Sequence, residues 1–139
     1  LVGVPSVGLL AATELGLAPE RLLVVADPPA ASVATVVAAL LDAVDVVYVR
    51  SGGIGAADAR RLAARARERE AVLIPLGARW PLSADVRLHA DAAEWVEQRG
   101  AGRLVARRVQ VTASGKGVYG RERRAMLWLP DETGGVSAA

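Results

Sequence analysis

The stretch Val44-Asp45-Val46-Val47-Tyr48-Val49-Arg50-Ser51 decides the fold class. Its β-branched residues carry no helical period, so it reads as a strand buried on both faces inside a parallel sheet. The strand tip carries Arg50. A guanidinium stays protonated, offers only donors and cannot ligate a metal.

Working outward, strands alternate with helices on both sides of this stretch. Val2 to Val4 reads as a strand end stopped by Pro5, with Ser6 as the N-cap of a helix reaching Leu15 and Gly16 as its stop. Leu22 to Ala26 reads as a second strand, closed by Asp27-Pro28-Pro29. From Ser32 to Ala43, Val33, Val36, Val37, Leu40, Leu41 and Val44 form one continuous apolar stripe at helical spacing. After the turn Ser51-Gly52-Gly53-Ile54-Gly55 comes an Arg-rich helix from Ala57 to Arg69 that buries Ala59, Leu62, Ala63 and Ala66. Ala71 to Leu76 is the fourth strand. Such alternation implies right-handed crossovers and a parallel sheet with helices on its faces.

Beyond Gly77 the rhythm changes. Val86 to His89, Leu104 to Thr112 and Ala125 to Leu129 read as strands without helices between them, an antiparallel extension at one edge of the sheet. The predicted organisation is one α/β domain over residues 1–130, with a fraying Gly/Ser/Ala-rich tail over residues 131–139.

Composition narrows the class. With 139 residues the chain has room for one real core, built from Val, Leu, Ile and Ala because Phe is absent. Absence of cysteine removes disulfide and thiolate chemistry and makes a reducing cytoplasm the expected compartment. Apolar runs stop at Asp42 and Asp45, short of the roughly 20 residues that span a bilayer, so no membrane role is expected. No signal peptide is evident. Because the chain opens at Leu1 in an apolar run, further sequence is expected upstream. Net charge is +2, yet between Arg99 and Arg124 seven arginines and one lysine face a single acid, Glu122. Such a patch is either a solvated face or a surface for nucleic acid or an acidic partner.

Several segments invite sharper readings. Gly3-Val4-Pro5-Ser6-Val7-Gly8 has one residue too many for a nucleophile elbow, and an N-cap turn suits it better. Gly52-Gly53-Ile54-Gly55 precedes a helix, where amides bind anions, but it lacks the dinucleotide fingerprint; a shortened connection is the plainer reading. His89 has neither a Cys nor a second His to share a metal, so it reads as structural or exposed. Asp42, Asp45 and Asp85 read as helix-end and loop charges. Trp80, in a Pro-flanked loop, is a candidate partner anchor, whereas Trp95 and Trp128 read as strand packing. Arg103, Arg107, Arg121, Arg123 and Arg124 are candidates for phosphate or acidic-protein contact.

The order of these elements resembles the RecA recombinase core from its second strand onward. Leu15-Gly16-Leu17-Ala18-Pro19-Glu20-Arg21-Leu22-Leu23 is similar to that family's "LGVDxxNLL". The Ser32 helix and Val44 to Ser51 resemble "EQALEIADAL…VDVIVVDS". Ala84-Asp85-Val86-Arg87-Leu88 resembles "YASVRLD", and Arg107 to Val111 with Ala125 to Leu129 resembles "TRVKVVKNK…AEFDI". The implied fold is α/β, a RecA-like parallel sheet flanked by helices with a C-terminal antiparallel strand extension.

Departures from the pattern cluster around the nucleotide site that the resemblance implies. Arg50 stands at the magnesium-holding acid, Pro5 near the catalytic acid, and Gly77 at the nucleotide-sensing Gln. The lysines that reach a neighbouring subunit's nucleotide fall around Ala113 and Gly115, with Lys116 one residue away. Both DNA-binding loops are shortened, and no phosphate-binding loop occurs in these residues; it would lie upstream. Exchanging a metal-binding carboxylate for a cation forfeits magnesium and transition-state stabilisation. The resemblance therefore implies no catalytic residue, no resident metal and no cofactor.

Degenerate RecA-like chains of this kind resemble the ImuA group, accessory proteins of SOS-induced mutagenesis. The Arg-rich helix, the short loops and the Arg123 to Pro130 strand, "RRAxLWLP"-like, carry that resemblance. It implies a non-catalytic scaffold in translesion DNA synthesis with a polymerase-like ImuB-type partner. RecA itself, and DNA bound through the basic surface, are further implied partners. A working RecA-like ATPase or a DNA-binding repair protein is the alternative.

Overall fold

The computed structural model describes residues 1–77, 80–98, 103–116 and 121–139, with no side-chain description for Ala92, Ala93, Gln98 and Arg103. It divides into two compact units, one of Leu1–Thr13 with Leu17–Leu82, the other of Ser83–Ala139 with Glu14–Gly16. The boundary between these units, at Leu82, falls inside the residues 1–130 expected to form one domain.

The first unit is a small parallel α/β layer. Its helices are α1 (Leu9–Glu14), α2 (Val33–Leu41) and α3 (Ala56–Glu68), and its strands are β1 (Val46–Arg50) and β2 (Val72–Leu76). β1 and β2 pair in parallel, Val46 opposite Val72 through Arg50 opposite Leu76. Val2 extends this arrangement, bridging in parallel to Val49 on one side and to Val25 on the other. The Val2 amide donates to the Tyr48 carbonyl at 2.8 Å, and the Arg50 amide donates to the Val2 carbonyl at 3.0 Å.

The apolar stripe of α2 works as its spacing predicts. Val33, Val37 and Leu41, four residues apart, are buried. Helix α3 opposes them with Leu62 and with Ala59 and Ala66, whose small side chains admit close approach. Together with Val2, Val47, Val49 and Ile54 they form the core, with Trp80 and Leu82 packed partly buried against it.

β1 corrects one expectation. It is not buried on both faces: Val47 and Val49 are buried, but Val46 and Tyr48 are 46% and 38% exposed. α2 packs on β1 and on α3, and α3 packs on β2, so both long helices serve the Val47 and Val49 side. α1 is shorter than expected and buries no residue. It begins at Leu9, with the Ala12 amide donating to the Gly8 carbonyl at 2.9 Å, so Ser6 lies ahead of the helix and is not its N-cap.

In the second unit β3 (Arg87–Gln98), β4 (Arg103–Ser114), β5 (Arg123–Trp128) and β6 (Ser137–Ala138) form an antiparallel sheet in sequential order. This sheet is separate from the parallel one, not an extension of its edge. β3 and β4 pair with each other along twelve-residue strands. β3 runs past the predicted end at His89, through Trp95, with register irregularities between Ala90 and Ala93 and between Val96 and Glu97. Such irregularities obscure the period-two pattern on which sequence reading relies.

The C-terminal residues form a turn and a short strand. The Asp131 carboxylate accepts from the Thr133 amide at 2.9 Å, the Thr133 hydroxyl at 2.7 Å and the Gly135 amide at 2.9 Å. The Thr133 hydroxyl, before the other donors, holds the Asp131 carboxyl below its ordinary range. The turn returns the chain so that β6 pairs with β5. No helix among the described residues is long and apolar enough to cross a membrane.

Candidate functional site

In a parallel layer the strand ends gather on one side, and side chains following them line a common crevice. Here Val4 and Ser6, Arg50 to Gly52, and Leu76 and Gly77 line a cleft of about 410 Å³. All belong to the first unit.

The cleft wall is tied together by two adjacent side chains. Arg50 Nε donates to the Gly3 carbonyl at 2.8 Å, joining the end of β1 to the segment around Val2. Ser51 is 2% exposed, and its hydroxyl donates to the Leu76 carbonyl at 2.9 Å. The Ser51 amide donates to the same oxygen at 3.0 Å, so β1 and β2 are fastened beyond their ladder. Gly77 follows at φ 103°, with a Cβ there falling 3.4 Å from Ser51 Oγ. Non-glycine residues enter that backbone region only under strain. The position cannot carry a glutamine side chain without cost.

Chemically the lining is one-sided. It offers Arg50, with four guanidinium hydrogens beyond the one given to Gly3, and the Ser6 hydroxyl. Among the described residues no carboxylate and no imidazole line the cleft, and the one charged group of the described lining is the Arg50 cation. Among the described residues no cluster of three or more His, Asp or Glu is suited to a metal ion.

The remaining sequence-predicted residues are dispersed. Pro5 lies between two lining residues but is not itself in the wall. Lys116 lies in the second unit, where it and Arg121 line another hollow. Trp80 is half-buried against the first unit's core. Arg107 is engaged within the second unit: its Nε donates to the Leu129 carbonyl at 2.8 Å, and its guanidinium lies 5.4 Å from the Trp95 ring centre. Arg124 pairs with Glu122 at 2.7 Å, while Arg123 is exposed opposite Ala113. Arg103 pairs with Gln98 along the backbone, and its side chain lies outside the described residues.

Two features escaped sequence reading. Ser51 looked like a turn residue, and nothing local marks its buried bond to Leu76. Asp42, read as a helix-end charge, closes α2 and is clamped from α3. Arg65 pairs with both its oxygens, and Arg69 Nε donates at 2.9 Å. Arg65, first among these partners, lowers the Asp42 carboxyl below its ordinary range. An acid at a helix C-terminus opposes the dipole, and the two arginines offset that. Their spacing of four on α3 was the available signal.

Fold and cleft together define a mixed α/β protein with a parallel, helix-covered layer, a cationic crevice at its strand ends and a separate antiparallel sheet. Residues 1–82 match the model of the MT3502 N-terminal domain, and the chain belongs to that family. The match ends at Leu82, where the first unit ends. A Mycobacterium tuberculosis (strain ATCC 25618 / H37Rv) protein named "Uncharacterized protein Rv3395c" is 35% identical over 126 residues, which cover 84% of this chain and 61% of that protein. The chain therefore spans less than two thirds of the length of this relative.

Proposed function

We propose that this chain is the degenerate RecA-like part of an ImuA-type accessory protein, a cytoplasmic, non-catalytic scaffold that docks a polymerase-like ImuB-type partner during SOS-induced translesion synthesis. The observation that carries this reading is the composition of the strand-end cleft. Arg50 is its charged group, Gly77 stands where the resemblance expects a glutamine, and among the described residues no carboxylate lines it. Metal-assisted phosphoryl transfer needs anionic ligands for magnesium and a residue that orients the nucleophile. The lining residues supply neither, so the scaffold reading fits better than ATP turnover. The RecA and ImuA steps rest on the sequence resemblance, and the retained parallel order of Val25, Val2, β1 and β2 is compatible with them.

Two measurements on the full-length protein test the proposal. Co-purification with the polymerase-like partner should occur without nucleotide and fail when this segment is deleted. Unchanged capture without the segment would sink the docking role. Magnesium-dependent ATP hydrolysis above background, abolished by substitution of Arg50, would instead establish a working ATPase with its metal ligand elsewhere. A nucleic-acid-binding role is the second reading, favoured by the cations of the second unit.

A further inference from the structure

Where β3 begins and β4 ends, the second unit carries an open surface hollow of about 520 Å³ lined by Arg87, Lys116 and Arg121, with Ser83, Ser114 and Glu122. Three separate segments bring these groups together. Arg87 and Ser114 are cross-strand partners at one end of the sheet. Gly115 then turns at φ 126°, where a Cβ would stand 2.5 Å from the Asp85 carbonyl oxygen. Only glycine lets the chain pass so close, and the passage delivers Lys116 to the rim. Arg121 and Glu122 arrive just ahead of β5.

The charges do not balance. Among the described lining residues Glu122 is the one carboxylate, and it is held by Arg124 through Nε at 2.7 Å. Arg87, Lys116 and Arg121 form no ion pair among the described residues. Asp85 is exposed nearby in sequence but does not line the hollow. Converging cations repel one another, and such an arrangement is relieved by a bound anion. A single carboxylate balances one of them. A phosphate group, with up to two negative charges and several acceptor oxygens, matches two guanidinium forks, an ammonium and two hydroxyls.

We propose that this hollow is a binding site for a phosphate group, supplied either by a nucleic-acid backbone or by a free phosphate compound. The site stands on the second unit alone and does not depend on the scaffold role of the first.

Binding of fluorescent single-stranded oligothymidylate, and of inorganic pyrophosphate by calorimetry, tests it on the full chain at low salt. The triple variant R87Q/K116Q/R121Q should weaken binding at least tenfold and, for the oligonucleotide, flatten the log affinity against log salt slope by about 2, the value for three lost single-strand phosphate contacts. R61Q, at an arginine paired with Asp58 in the first unit, should leave binding unchanged. Circular dichroism checks that the variant is folded, and K116Q alone, expected to reduce the slope by about 0.7, serves if the triple variant is not. Oligonucleotide binding without pyrophosphate binding assigns the backbone as source; binding of both assigns the phosphate group itself. The proposal is overturned if neither probe binds, if the variants bind as the parent does, or if polyglutamate binds equally well with the same loss.

Discussion

Leu41→Ala tests the packing that sets the strand-end cleft in place. Leu41 is 1% exposed at the end of α2, within the core that also holds Val47, Val49, Leu62 and Ala66. The substitution removes about three methylene equivalents, worth about 2.4 kcal/mol at about 0.8 kcal/mol each. A cavity that cannot fully collapse adds to this, placing the expected loss at about 3–4 kcal/mol. Against total stabilities of about 5–15 kcal/mol such a loss is large. With a urea m-value of about 1–3 kcal/mol/M the unfolding midpoint should fall by about 1–4 M. Trp80 packs against this core, whereas Trp95 and Trp128 lie in the other unit. Fluorescence in a background of Trp95→Phe and Trp128→Phe therefore reports the first unit. Leu10→Ala is the control, since Leu10 is 74% exposed, and it should change stability by less than about 0.5 kcal/mol. A loss below about 1 kcal/mol for Leu41→Ala, or an equal loss for Leu10→Ala, would refute the assignment of the core to the α2 stripe.

Other expectations follow from single positions. Gly77→Gln should destabilise the first unit by about 1–3 kcal/mol, because the side chain must enter a strained backbone region; urea unfolding followed at Trp80 checks it, and an unchanged midpoint contradicts it. Asp42→Asn should flatten the acid limb of stability against pH. Arg65 and then Arg69 depress the folded carboxyl from its ordinary value of 3.8, so its contribution is present above that value and disappears as pH falls through the lower folded value. Urea midpoints measured from neutrality downward should separate parent and variant at neutral pH and converge in acid; parallel profiles would remove the clamp as a source of stability. Gly115→Ala should cost about 1–3 kcal/mol through overpacking against the Asp85 carbonyl, visible as a lower midpoint at Trp95 and Trp128.

Legibility differed between the two units. The first was readable because its signals are local. Val33, Val37 and Leu41 repeat at helical spacing, Ala59, Leu62 and Ala66 do the same, and Val46 to Arg50 is a short β-branched run. Burial of β1 was misread because a β-branched run reports strand propensity, not how many faces are covered. That depends on where α2 and α3 settle. In the second unit the irregular register between β3 and β4 broke the alternation, so the strand expected to end at His89 and the strand position expected at Trp95 did not read as one continuous element. Of the cleft, Arg50 and Gly77 were identified from the sequence as departures from a familiar pattern. Ser51 and its bond to Leu76 were not, since the partners stand 25 residues apart. Arg87 was likewise overlooked because its basic neighbours in the hollow come from distant segments.

By itself, then, the sequence determined the two long helices and two paired strands of the parallel layer, the cation at the tip of β1 and the arginine-rich second half. The strands expected at Val2 to Val4 and Leu22 to Ala26 are instead reduced to isolated bridges at Val2 and Val25. Periodicity, propensity and charge are properties of neighbouring residues and survive without a fold. Only the tertiary structure decided that β1 has one open face, that the antiparallel strands form a sheet of their own, and that Arg50 and Ser51 fasten three strand ends. The same holds for the convergence of Arg87, Lys116 and Arg121. Each depends on backbone groups and charges far apart in the chain meeting once it is packed, and no local pattern encodes such a meeting.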